Sequence, residues 1–196
     1  MTIRPDLPPW TAVQVKSRRE ALWMRHTAIH EAGHLIIARH LGISWALAAI
    51  WRPVGRSYCD GRTFLWSRPV VSRDHWVMCA VAGGAATQLW HHRRRPHAAG
   101  DALPSFDGDQ ISDGDWRDIF NRTGTPATKA DAQCIIAIGN HTIGLLAGRL
   151  WQDVLDAARE LIEEGIIECG ERPYWLRVET EDDAGAAPAI GQPDVS

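Results

Sequence analysis

His30, Glu31 and His34 are the residues whose types and spacing could most directly do chemistry. They stand in the stretch "AIHEAGHLIIARHLG", residues 28–42, among small and apolar side chains. At about 3.6 residues per turn, His30 and His34 lie one above the other on a single helix face. Two neutral imidazoles so placed can share one zinc ion. Glu31 lies about 100° round the axis, beside such an ion rather than on it. A carboxylate there can take a proton from a metal-activated water. With nine histidines in 196 residues, coincidence produces H-E-x-x-H only roughly 2% of the time, so the motif reads as a metal site.

A protease-type zinc site needs a third protein ligand and keeps its fourth position open. His40 has the offset of the metzincin pattern H-E-x-x-H-x-x-G-x-x-H, but Ile37 stands where that pattern needs a glycine to turn the helix. On a continuous helix His40 is about 120° round the axis from His34 and roughly 9 Å along it, out of reach of the same ion. It reads better as a C-terminal histidine favoured by the helix dipole. No glutamate occurs between His34 and Glu160; Glu160, Glu163, Glu164 and Glu168 fit the polar face of a late amphipathic helix. Aspartates remain.

The elements that must position these residues read as mainly α, an α+β chain. A helix is expected from about Ser17 to Leu41, stopped by Gly42. Residues 43–68, rich in β-branched and aromatic side chains and broken by Pro53, Gly55 and Gly61, predict two or three short strands with tight turns. A second helix should cover roughly 70–92, followed by a long Pro- and Gly-containing loop. A short helix should begin near Ser112. The stretch 127–168 is too long for one helix, with Gly139, Asn140 and Gly144 offering a bend, and "LWQDVLDAARELIEEGI" carries the spacing of a core helix. Three regions follow: an extended, proline-rich segment at 1–16, a domain at 17–178, and an acidic tail at 179–196 expected to be disordered.

Composition narrows the partners. A net charge of −3 and 45% hydrophobic residues describe an ordinary globular chain with no electrostatic reason to bind nucleic acid or an anionic membrane. The basic run His91–Arg95 reads as a solvated loop. No secretory signal or membrane span is expected. Cys59, Cys79, Cys134 and Cys169 form no C-x-x-C pair, which fits reduced thiols in a cytoplasmic protein. The ten tryptophans are scattered, as packing residues would be.

Three segments, taken in order, resemble the protease domain of the FtsH-type zinc metalloproteases. "AIHEAGHLIIARHL" is similar to that family's "HEAGHA" helix, "AVAGGAATQLW" (80–90) to its "GGRAAEE" helix, and "ISDGDWRDIF" (111–120) to its "SNDLxxAT" segment. The resemblance implies a helical FtsH-type peptidase-like domain with a small sheet or hairpin inserted after the H-E-x-x-H helix. It implies one zinc per chain held by His30, His34 and Asp115, with Glu31 as the catalytic base. It also implies a substrate backbone pairing with a strand edge in 57–66, for which a plain hairpin edge is the equal alternative.

At the third ligand, Asp113 competes with Asp115, and the two point about 200° apart on a helix. Asp115 has a second reading as the N3 residue of a capping box begun by Ser112. The apolar stripe Trp116, Ile119 and Phe120 would dock the Asp115 turn against the core.

The chain departs from the family at Thr87–Gln88, where glutamates are usual, and it has no G-x-x-x-x-G-K-[ST] phosphate loop. The expected function is therefore an ATP-independent zinc metallopeptidase acting on peptides or unfolded protein, with an oligomer or a separate ATPase partner left open. The alternative is a non-catalytic or latent zinc protein, in which the Cys59 thiolate could close the fourth position. For an oxyanion donor, His75, His91 and His92 are weak candidates.

Overall fold

A computed structural model describes residues 17–53, 56, 58–67, 71–95, 102–123 and 129–173. The expected N-terminal segment 1–16 and the acidic tail 179–196 lie outside them.

The first helix, α1 (Arg18–His40), starts where Ser17 Oγ accepts the Glu20 N–H at 3.2 Å. It ends at Leu41, and Gly42 then adopts φ +71°, a left-handed turn open to glycine at no steric cost. Leu22 and Trp23 on its first turns are exposed, whereas Ala28–Ala38 is buried almost without a break, apart from His30. This half of α1 is the axle of the molecule. It packs against α2 (Arg73–Arg94), α5 (Trp151–Glu164) and the strands β1 (Trp45–Trp51) and β2 (Asp60–Trp66).

Helix α2 is capped by Ser72 and carries the small residues Ala82, Gly83, Ala85 and Ala86. They permit a very close helix crossing: a β-carbon on Gly33 of α1 would lie 2.6 Å from the Ala82 carbonyl oxygen and 2.7 Å from Ala86 Cβ. Helix α3 (Asp113–Thr123) and helix α4 (Lys129–Leu145) lie against α2.

The sheet has three antiparallel strands in the order β2-β1-β3, with β3 formed by Ile166–Gly170. Ala46, Ala48 and Ile50 of β1 face the helices, and Trp45, Leu47 and Ala49 form a separate buried cluster with Phe64 and Trp66. The expectation of a mainly α chain with a small sheet holds, and among the described residues of 43–68 two strands form, within the expected two or three. The third strand of the sheet comes from residues expected to continue the late helix. Gly165, at φ +80°, terminates α5 and turns the chain so that "IIECG" pairs with β1. Nor does Gly61 break a strand: it sits inside β2.

The expected bend also falls elsewhere. It is at the π-helical turn Leu146–Leu150, where Gly148 leaves helical geometry, and not at Gly139, Asn140 or Gly144. Arg93 stabilises this kink by donating to the Ala147 carbonyl at 2.7 Å while its guanidinium lies over Trp151. None of the described helices is long and apolar enough to cross a membrane.

Candidate metal centre

His30 and His34 project from the buried half of α1 toward α2 and α3, their Nε2 atoms 3.1 Å apart. His34 is fixed from behind. Its Nδ1 lies 2.7 Å from the Cys79 carbonyl oxygen of α2. A carbonyl only accepts, so Nδ1 carries the proton, and in the neutral imidazole Nε2 turns a lone pair inward.

Asp115 closes the group from α3, with Oδ2 at 3.2 Å from His30 Nε2 and Oδ1 at 3.2 Å from His34 Nε2. Among the described residues these three form the one cluster whose ligand atoms gather in this way, all within 4.8 Å. Asp113, the competing aspartate, is exposed and not part of it. Asp115 takes part in the Ser112 cap while it faces the two histidines. Its N–H donates to Ser112 Oγ at 3.1 Å, while the Ser112 hydroxyl donates to Asp115 Oδ2 at 2.7 Å. The capping box therefore orients the carboxylate that faces the histidines.

Converging lone pairs repel unless a cation lies among them. Burial opposes a charged imidazole, yet the Asp115 carboxylate, with Glu31 nearby, lifts His34 to about 9. Burial likewise opposes an ionised Asp115, yet His34 and His30 hold its carboxyl far below the usual range. The group thus draws positive charge, supplied by a proton or by a metal. Ligand atoms around a tetrahedral zinc are about 3.3 Å apart, close to the separations here. Two imidazoles and a carboxylate are a donor set that zinc accepts, and the residues present fit the ion.

Glu31 is 5% exposed and lies between α1 and β2. Thr63 of β2 donates its hydroxyl to Glu31 Oε2 at 2.7 Å. Gly61 allows this approach, since a β-carbon there would lie 2.8 Å from Glu31 Oε1. Burial pushes the Glu31 carboxyl up, against the opposing pull of His30 and His34. The three-residue group and Glu31 line a cleft of about 370 Å³, walled by Trp51, Leu65, Trp76 and Ile119, with Arg62 and Arg117 at its sides.

The remaining expectations fall outside the cleft. His40 lies 3.5 Å from Arg149, as a helix-end histidine would. Glu160, Glu163 and Glu164 are exposed on α5, and Glu168 accepts the Trp45 Nε1 proton at 2.6 Å. His75, His91 and His92 do not line the cleft. Cys59 donates its thiol to the Trp51 carbonyl at 3.3 Å, and burial pushes the thiol up to about 11, so it is an inert buried group rather than a latch.

Sequence reasoning missed Thr63 and the roles of Gly61 and Gly83. A β-carbon on Gly83 would lie 2.4 Å from His34 Nε2 and 2.6 Å from His30 Nε2, so this glycine makes room for the imidazoles. The glycine pair within an alanine run was the signal available for it. Neither a scan against protein-family models nor a search of curated proteins finds a match to this chain.

Proposed function

We propose that the protein is a zinc-dependent metallopeptidase of the FtsH-type kind, working without ATP as a single chain. The observation that carries this reading is the placing of Glu31. A buried carboxyl with a raised pKa, oriented by Thr63, shares a cleft with the His30/His34/Asp115 group. His30, His34 and Asp115 would hold one zinc ion, which when bound supplies a Lewis acid and lowers the pKa of water.

The rest is done by the chain itself. The Glu31 carboxylate accepts a proton from the attacking water and delivers it to the leaving amine, a transfer that works best when the base titrates near the working pH. Among the described residues, strand β2 has β1 on one side only. Its outer edge supports the reading that an extended peptide backbone pairs there. A flexible peptide or an already unfolded chain suits this cleft, because the sequence holds no nucleotide-binding loop to drive unfolding.

The second reading, a non-catalytic zinc protein, rests on how little of Glu31 is exposed. Two measurements decide between them. Elemental analysis of protein purified without chelator should find about one zinc per chain; iron, which also accepts two histidines and a carboxylate, would point to other chemistry. Digestion of a peptide library by that same zinc-loaded protein should give chelator-sensitive cleavage. Zinc without cleavage would leave the non-catalytic reading.

A further inference from the structure

Asp115 is the ligand with the least regular support. It stands on a short helix whose Asp113, Gly114, Arg117 and Asp118 are exposed, preceded by ten residues whose regular structure is a single 3-10 turn, Gly108–Gln110. Backbone groups in such a segment need partners from elsewhere.

Three consecutive residues find them on helices α2 and α4. Gln88 of α2 donates its side-chain amide to the Ser105 carbonyl and accepts the Asp107 N–H at 3.4 Å. It thereby engages the segment as a neighbouring strand would. Asn140 of α4 accepts the Phe106 N–H at 2.8 Å. The Phe106 ring is buried over Gly139, where a β-carbon would lie 2.1 Å from it. From this anchor the chain runs through the Asp107 side chain, which accepts the Asp109 N–H at 3.1 Å, and buried Ile111 to the Ser112 cap.

We infer that Gln88 and Asn140 are positioning residues for the metal centre: they clamp residues 105–107 and so set where α3, and the Asp115 carboxylate on it, meets His30 and His34. This rests on the metal reading above. It also gives Gln88 a task that a carboxylate there could do only in half, since glutamate accepts from Asp107 but cannot donate to Ser105.

The test is zinc affinity by competition with a chromogenic chelator on the full chain, with the visible spectrum of the cobalt-substituted protein as second readout. Gln88→Ala and Gln88→Glu should each weaken zinc by ~10- to 100-fold, the range typical of groups that orient a ligand. They should also lower the tetrahedral cobalt absorption, while metal-free melting stays near that of the wild type. At the other end, Asn140→Leu should weaken zinc, and Asn140→Asp, which still accepts from Phe106, should restore it. Wild-type zinc affinity in Gln88→Ala and Asn140→Leu overturns the clamp and leaves the metal centre standing. Failure of the wild-type protein itself to bind zinc overturns both.

Discussion

Gly83 of α2 and His34 of α1 approach so closely that a single added methyl group would lie 2.4 Å from the imidazole Nε2. The contact falls on the nitrogens proposed to hold the metal. Gly83→Ala is therefore expected to push both rings off their common point and weaken zinc by more than ~100-fold, beyond the range of an orienting group. Gly33→Ala makes a contrasting pair. Its methyl would meet the Ala82 carbonyl at 2.6 Å, so backbone rather than side chains must yield. Overpacking of that kind costs about 1–3 kcal/mol. Urea denaturation and chelator competition on both variants should separate a stability defect at Gly33 from a binding defect at Gly83. Equal zinc affinity in Gly83→Ala and wild type would remove Gly83 from the site.

Replacing Glu31 by glutamine keeps size and the contact with Thr63 but ends proton acceptance. Glu31→Gln should fold, bind zinc as the wild type does, and lose peptide hydrolysis by about 10²- to 10⁴-fold. Steady-state assays on a fluorogenic peptide, beside metal analysis, check this. Loss of zinc with loss of activity would make Glu31 a ligand instead.

How far the sequence anticipates this arrangement depends on how local each cause is. The span of α1 is legible because the Ser17 hydroxyl and Gly42 act within one turn of the helix they bound. His30 and His34 are legible for the same reason, being one turn apart. Strand β3 is not, because five residues after Gly165 become a strand only by pairing with β1, more than a hundred positions earlier. The misplaced bend has a similar origin. Gly139 and Asn140 look like helix breakers, yet one makes space for Phe106 and the other receives its N–H, and both stay helical. In the sequence, Asp115 is favoured over Asp113 by the apolar stripe that follows it and by analogy with a family pattern; that the Ser112 cap turns the Asp115 carboxylate toward the histidines becomes visible only in the structure.

That selection is directly testable. Asp115→Ala removes the proposed ligand and a capping partner together, so zinc affinity should fall by well over ~100-fold, with about 1 kcal/mol of cap stability lost besides. Asp113→Ala, at an exposed position outside the cluster, should change neither. A chelator competition in which the two variants behave alike would mean that another residue completes the site.

The last prediction concerns acid stability. His26 lies one turn before His30, its ring packed edge-on against Trp23 and Trp90 and 5.9 Å and 6.3 Å from their centroids. The His91 ring of α2 faces it at 5.5 Å. Burial, reinforced by His30 and His91, lowers His26 from 6.5 to about 4. Between those two values the unfolded chain takes up a proton that the folded chain refuses. The contribution of His26 is therefore fully present above pH 6.5 and drains away as the pH falls toward 4. His26→Phe keeps an aromatic ring between the two tryptophans and removes the titration. Urea denaturation of the metal-free protein at several values between neutral pH and pH 4 should show wild type losing more stability than His26→Phe over the same interval. The carboxylates and the His34–Asp115 pair titrate in both proteins, so the difference between the two curves isolates His26. Parallel curves would mean that His26 takes up its proton in the folded state as easily as in the unfolded one.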